Sequence, residues 1–147
     1  MGYFGALDIS ASGLTAQRLR MDTISQNIAN VSTTHTAGGG PYRRKVALFE
    51  ERVTPALFDG YIRTAMKGDN LGFGVRVARI FEDSAPFKLV YEPGHPDANA
   101  EGYVSLPNVD VVTEMINMIS ASRSYEANVT SLNTTKAMAS KALEIGR

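Results

Sequence analysis

Leu7, Leu14, Met21 and Ile28 recur at a spacing of seven, and a longer series, Val111, Met115, Met118, Tyr125, Val129, Leu132, Ala139 and Leu143, advances in steps of four, three and seven. Such spacing keeps side chains on one side of an α-helix, where they bury only against something else. Both ends of the chain therefore read as helices with a seam, built to pack end against end. Chain termini are usually peripheral and loosely held, so the strongest helical patterns at the ends mark the ends as the working surface.

Three regions follow. The first helix spans about Gly5 to Asn30, with Asp8 and Ser10 suited to its first turn or N-cap, and no proline occurs before Pro41. Gly38, Gly39, Gly40 and Pro41 in succession cannot continue a helix and read as a flexible connection. The middle then changes period to two: Val46 and Leu48 flank Ala47, and Val75 and Val77 flank Arg76. Strands are expected at Tyr42 to Glu50, Gly74 to Glu82, Lys88 to Tyr91 and Gly102 to Val104, with breaks at Lys67-Gly68-Asp69-Asn70 and at Glu92 to Pro96. After Leu106-Pro107, Asn108 or Asp110 can cap a final helix running to Ile145, roughly 50 Å at 1.5 Å per residue. The fold class is α+β: residues 1–30 with 108–147 form a coiled-coil-like domain of paired terminal helices, and 31–107 form a linker and a small irregular β insert.

The last helix has a second apolar side, Val109, Val112, Ile116 and Ile119, which one partner helix cannot cover. It packs on the β region or it meets a neighbouring subunit; a wide apolar stripe is ordinary in globular helices. Glu114 in the first turn, with Lys136 and Lys141 in the last turns, suits the helix dipole.

Composition narrows the partners. Fifteen basic and fifteen acidic residues among 147 give zero net charge, hence no global field for nucleic acid or an anionic membrane. The absence of cysteine removes disulfides, thiolate catalysis and cysteine-ligated zinc. No segment approaches the roughly twenty apolar residues of a membrane span, and Met1 to Ala11 lacks the basic start and unbroken apolar stretch of a cleaved signal. Protein partners are expected, with no small-molecule substrate, cofactor or metal.

The search for chemistry yields little. Gly72-Phe73-Gly74 is followed by no helix pattern, so it reads as a turn entering a strand rather than a nucleotide loop. His95, between Pro93-Gly94 and Pro96, reads as a solvated turn histidine, the acid/base alternative lacking a second histidine and a held geometry. Arg43, Arg44 and Lys45 are a solvated strand face or a contact for an acidic neighbour. Met115 and Met118 read as core.

At this point the residues resemble a family. Ala6-Leu7-Asp8-Ile9-Ser10-Ala11-Ser12-Gly13-Leu14-Thr15-Ala16-Gln17, followed by Ser25-Gln26-Asn27-Ile28-Ala29-Asn30, is similar to the N-terminal signature of bacterial flagellar rod, hook and related axial proteins. Leu106 to Met115 and Ser120 to Asn128 resemble the helix that closes those chains. Pro41 to Lys45 and Lys88 to Pro96 running through Glu101 to Val104 point within the family to a proximal-rod subunit. One departure is Gln26, where the signature often has a first asparagine. The resemblance implies a structural, non-enzymatic subunit that polymerises helically through its terminal helices, in contact with other proximal and distal rod proteins and basal-body components. It also implies export without a cleaved signal through the flagellar type III apparatus and assembly in the periplasmic rod. Leu7, Leu14, Met21, Ile28, Val111, Met115, Met118, Tyr125, Val129, Leu132 and Leu143 are then the expected subunit-packing residues. Asn27, Asn30, Asn108, Asp110, Arg123 and Asn128 are the motif residues available for polar contacts between subunits, although Asn30 also suits a helix end and Asn108 a helix cap. Another axial type, or a generic coiled-coil adaptor forming a closed oligomer, is the competing reading; a small hydrolase using His95 is a third.

Overall fold

The computed structural model describes residues 3–52 and 73–145. In chain order it contains α1 (Tyr3–Ala29), β1 (Lys45–Glu51), β2 (Val75–Glu82), β3 (Lys88–Tyr91), β4 (Tyr103–Leu106) and α2 (Val111–Ile145). The α+β class expected from the sequence holds. The expected break at Lys67 to Asn70 lies outside the described residues.

α1 starts before the cap residues proposed for it. Asp8 therefore lies within the helix, 3.5 Å from the Arg52 guanidinium, and Ser10 is buried. α1 ends where Asn30 folds back, its backbone and side-chain N–H groups both donating to the Gln26 carbonyl. The glycine run then makes a tight turn, with Gly39 and Gly40 at φ near +80° and the Thr36 N–H donating to the Gly40 carbonyl. At the start of α2 the cap is Asp110, whose carboxylate accepts from the Thr113 N–H and hydroxyl. Asn108 caps nothing and is used elsewhere.

The β residues form two antiparallel two-stranded sheets. β1 pairs with β2, Lys45 opposite Glu82, with a register shift between Leu48 and Phe49. β3 pairs with β4, Val90 opposite Val104. Tyr42 to Arg44, expected to begin the first strand, stay outside the ladder because their backbone groups bond elsewhere: the Tyr42 N–H to the Thr33 carbonyl and the Arg44 N–H to the Asn108 side chain.

α1 packs most extensively on α2 and also on β1 and β2. The helices are antiparallel, since Gly13 meets Asn128 at one level and Asn27 meets Glu114 at another. Gly13 to Asn27 and Glu114 to Asn128 are each fourteen residues, so the two contacts hold one register over about four turns. Among the described residues the buried apolar side chains are Ala16, Ile24, Tyr42, Val104, Val109 and Ala121.

Candidate functional site

The seam of α2 follows a strict alternation of three and four: Val111, Glu114, Met118, Ala121, Tyr125, Asn128, Leu132, Thr135 and Ala139 are all buried or half-buried. Sequence reading found one half of this seam, Val111, Met118, Tyr125, Leu132 and Ala139. It took the adjacent positions Met115, Val129 and Leu143 for the other half because those are apolar. Met115 and Leu143 are exposed, Leu143 by 77%, and Val129 lies at the flank. The inner positions carry Glu114, Ala121, Asn128 and Thr135 instead. On α1, Leu7, Leu14, Met21 and Ile28 flank the buried line, whose centre is Ser10, Gly13, Ala16, Thr23, Ile24 and Asn27.

Small and polar residues stand there because the helices approach closely and because one end of the seam is a polar junction. A Cβ on Gly13 would sit 2.9 Å from the Asn128 side-chain oxygen, so this level accepts no side chain without a shift. Asn128 turns its amide N–H to the Ser124 carbonyl of its own helix.

At the other level Asn27 is 1% exposed and fully satisfied. Its amide donates to the Lys45 carbonyl at 2.8 Å and to Glu114 at 2.9 Å; its oxygen accepts from the Tyr42 hydroxyl at 3.0 Å and the Lys45 N–H at 2.9 Å. Glu114, also 1% exposed, takes two donors from Arg44, Nε at 2.9 Å and Nη2 at 2.7 Å. Arg44 also reaches Asp83 at 3.3 Å, and Asn108 bridges the Arg44 N–H to the Asp83 and Ala85 carbonyls. A buried carboxylate is tolerable only with such pairing. One network thus ties α1, the entry to β1, the end of β2 and α2.

The titrating groups register this. Burial works against the Arg44 charge, and the hydrogen bonds and charges of Glu114 and Asp83 more than offset it, raising its pKa. Desolvation, with Glu82 and Glu114 nearby, pushes the Tyr42 hydroxyl up. The Ala85 N–H, followed by Arg44, holds the Asp83 carboxyl below its ordinary value, and the Thr113 hydroxyl and N–H do the same for Asp110.

Both readings of the basic run miss Arg44, which is neither solvated nor free for a neighbour. Arg43 lies over the Phe87 ring at 4.4 Å and donates to the Asp83 carbonyl. Arg123 is exposed. Asn30 serves the α1 terminus, and Asn27 and Asn108 spend their amides within the chain. His95 lies in a turn, its Nδ1 accepting from the Asp97 N–H, and Gly74 enters β2 with its neighbour Val75 donating to the Ser12 hydroxyl. Among the described residues no cluster of His, Asp and Glu suits a metal ion, and no helix is long and apolar enough to cross a membrane. Sequence reasoning missed Glu114 and Tyr42 as junction residues. Following the spacing 111, 114, 118, 121 rather than apolarity would have found the first.

The outward side of α2 is apolar as well near the start of the helix. Val112, Met115, Ile116 and Ile119 are all about half exposed or more, and the described β residues do not cover them. Val109, grouped with them in the sequence, is buried just before the helix, its carbonyl accepting from Lys88 Nζ.

Two paired ends with an insert between them are matched by two family profiles. One, described as "Flagella basal body rod protein", covers residues 7–34; the other, "Flagellar basal body rod FlgEFG protein C-terminal", covers 100–145. The class is thus that of flagellar basal-body rod proteins. Among full-length relatives, the flagellar basal-body rod protein FlgC of Borreliella burgdorferi is 50% identical over 99% of this chain and 98% of its own. FlgC of Bacillus subtilis is 49% identical over the whole of both chains, and FlgC of Salmonella typhimurium 44%. The chain belongs to the FlgC family.

Proposed function

We propose that this protein is a structural subunit of the flagellar proximal rod, polymerising helically to form the shaft that transmits torque. Family membership supports the role, and the exposed apolar side of α2 carries the mechanism. Four large apolar side chains within eight residues of one helix, Val112 to Ile119, have no cover among the described residues. A patch of this kind on a helix held rigid by its inner face suits protein contact. Contacts between unlike surfaces that do not close on themselves generate helical assemblies. Exposed Arg123 lies further along the same side. The partners are further copies and the other proximal and distal rod proteins, with basal-body components at the base. The subunit passes through the flagellar type III apparatus and assembles in the periplasm.

The test is to replace the chromosomal copy with Ile116→Asp and image basal bodies by cryo-electron microscopy. The wild-type chain fills density in the shaft above the inner-membrane rotor, and the variant, soluble and folded, leaves rods truncated and cells non-motile. Normal rods containing the variant would overturn the assigned contact surface; absence of the wild-type chain from the rod would overturn the function.

A further inference from the structure

A groove of about 310 Å³ opens between α1, β1 and α2, lined by Arg20, Thr23, Lys45, Phe49 and Asn117, with the Arg44–Glu114 pair in its wall. Arg44 is spent on Glu114 and Asp83. The other two cations each lie near an aromatic ring. The Arg20 guanidinium sits 6.0 Å from the Phe49 ring, and the Lys45 ammonium 5.7 Å from the Tyr42 ring. Both side chains are half-buried, and among the described residues neither forms an ion pair, although Glu82 is the cross-strand neighbour of Lys45. Cations held partly out of water without a counter-charge favour an arriving carboxylate.

The chain carries such carboxylates on a separate element. From Leu89 to Ser122 there is no lysine or arginine, and Glu92, Asp97 and Glu101 fall in the turn between β3 and β4. Asp97 is engaged by the Thr34 hydroxyl at 2.7 Å, whereas Glu92 and Glu101 are exposed and make no ion pair among the described residues. The turn is ordered: the Asn99 side chain accepts from the Glu101 and Tyr103 N–H groups. Gly102, at φ +83°, leaves room for the Tyr91 ring, which a Cβ would approach to 2.8 Å. Presentation on a fixed turn lowers the entropic cost of docking.

We propose that the Arg20–Lys45 groove receives the Glu92–Glu101 turn of a second copy of this chain. The two surfaces differ, so the contact is heterologous and repeats from copy to copy; it rests on the rod reading for its setting and adds an electrostatic contact to the apolar one.

Sedimentation velocity of the full chain tests it. Wild-type self-association is expected to weaken as salt rises from about 50 to about 300 mM, as screening requires. Arg20→Glu with Lys45→Glu, and separately Glu92→Lys with Glu101→Lys, each weaken association at least about tenfold, and mixing the two variants restores it, because each then meets its opposite charge. Circular dichroism verifies folding; if a reversal loses helicity, the glutamine versions replace it. Association unchanged by either reversal, failure of the mixture to recover, or a wild-type chain monomeric at low salt overturns the proposal, the last pointing to a different rod protein as the donor of the carboxylates. These outcomes leave the rod assignment standing if the wild-type chain is found in basal bodies; its absence from them removes the assignment without touching the solution contact.

Discussion

The two sides of α2 share apolar residues between them, which departs from the usual amphipathic arrangement. The side facing α1 alternates Val111, Met118, Tyr125 and Leu132 with Glu114, Ala121, Asn128 and Thr135, while the side facing away carries Val112, Met115, Ile116 and Ile119 at its start, with Ile116 62% exposed. Ordinarily the apolar stripe faces the core. Here the inner side gains its hold from geometry, a glycine-wide approach at Gly13 and a saturated polar junction at Asn27, and it thereby fixes register. Polar groups at seam positions are known to do this at a cost in stability. The outer side keeps apolar area that does nothing for the lone subunit. Folding and assembly are thus assigned to opposite sides of one helix.

Breaking the inner side has the largest effect on the isolated chain. Glu114→Ala leaves the partly exposed Arg44 with Asp83 alone and one Asn27 donor unpaired at a buried site, and the expected loss is about 2–4 kcal/mol in urea denaturation. Glu114→Gln keeps one acceptor oxygen for Arg44 but sets an amide NH2 against the Asn27 N–H, and loses less than alanine. Gly13→Leu forces a branched side chain against Asn128 and costs about 1–3 kcal/mol by the same measurement. Gly13→Ala is milder, because the first atom it meets belongs to an amide side chain that can turn aside.

Acidification probes the α2 cap and the outer edge of the junction. Asp83 and Asp110 have folded pKa values below their ordinary ones. Their contribution is present above the unfolded value, about pH 4, and is lost as pH falls through the folded values. Thermal midpoints should therefore drop as pH falls below about 4, and Asp83→Asn with Asp110→Asn should flatten that drop. The smallest stability effect belongs to the outer side: Ile116→Asp changes the free chain by no more than about 0.5 kcal/mol, although it stops assembly. A large loss in the free chain would mean that this side is part of the fold and would collapse the comparison.

Helix type and extent were legible because seven-residue spacing survives any tertiary context. Expected and observed limits of α1 differ by a residue or two, and α2 reaches Ile145 as read. β3 spans the expected Lys88 to Tyr91, since alternation and flanking turn residues suffice for a short hairpin strand. The junction was not legible. Glu114 looks like a first-turn carboxylate placed for the helix dipole until Arg44, seventy residues away in sequence, and Asn27, eighty-seven away, arrive beside it. Arg44 likewise looks solvated within its basic run.

The sequence alone determined that the ends of this chain are long helices, that a short β insert separates them, and, through its motifs, the family to which it belongs. Periodicity and local turn chemistry act over a few residues and need no partner. Only the tertiary structure decided which side of α2 faces inward, that Asp110 rather than Asn108 caps it, and that Asn27, Arg44 and Glu114 form one network. Burial and hydrogen-bond satisfaction are properties of groups brought together from distant positions, and the free energy of a charge depends on the neighbours the fold supplies.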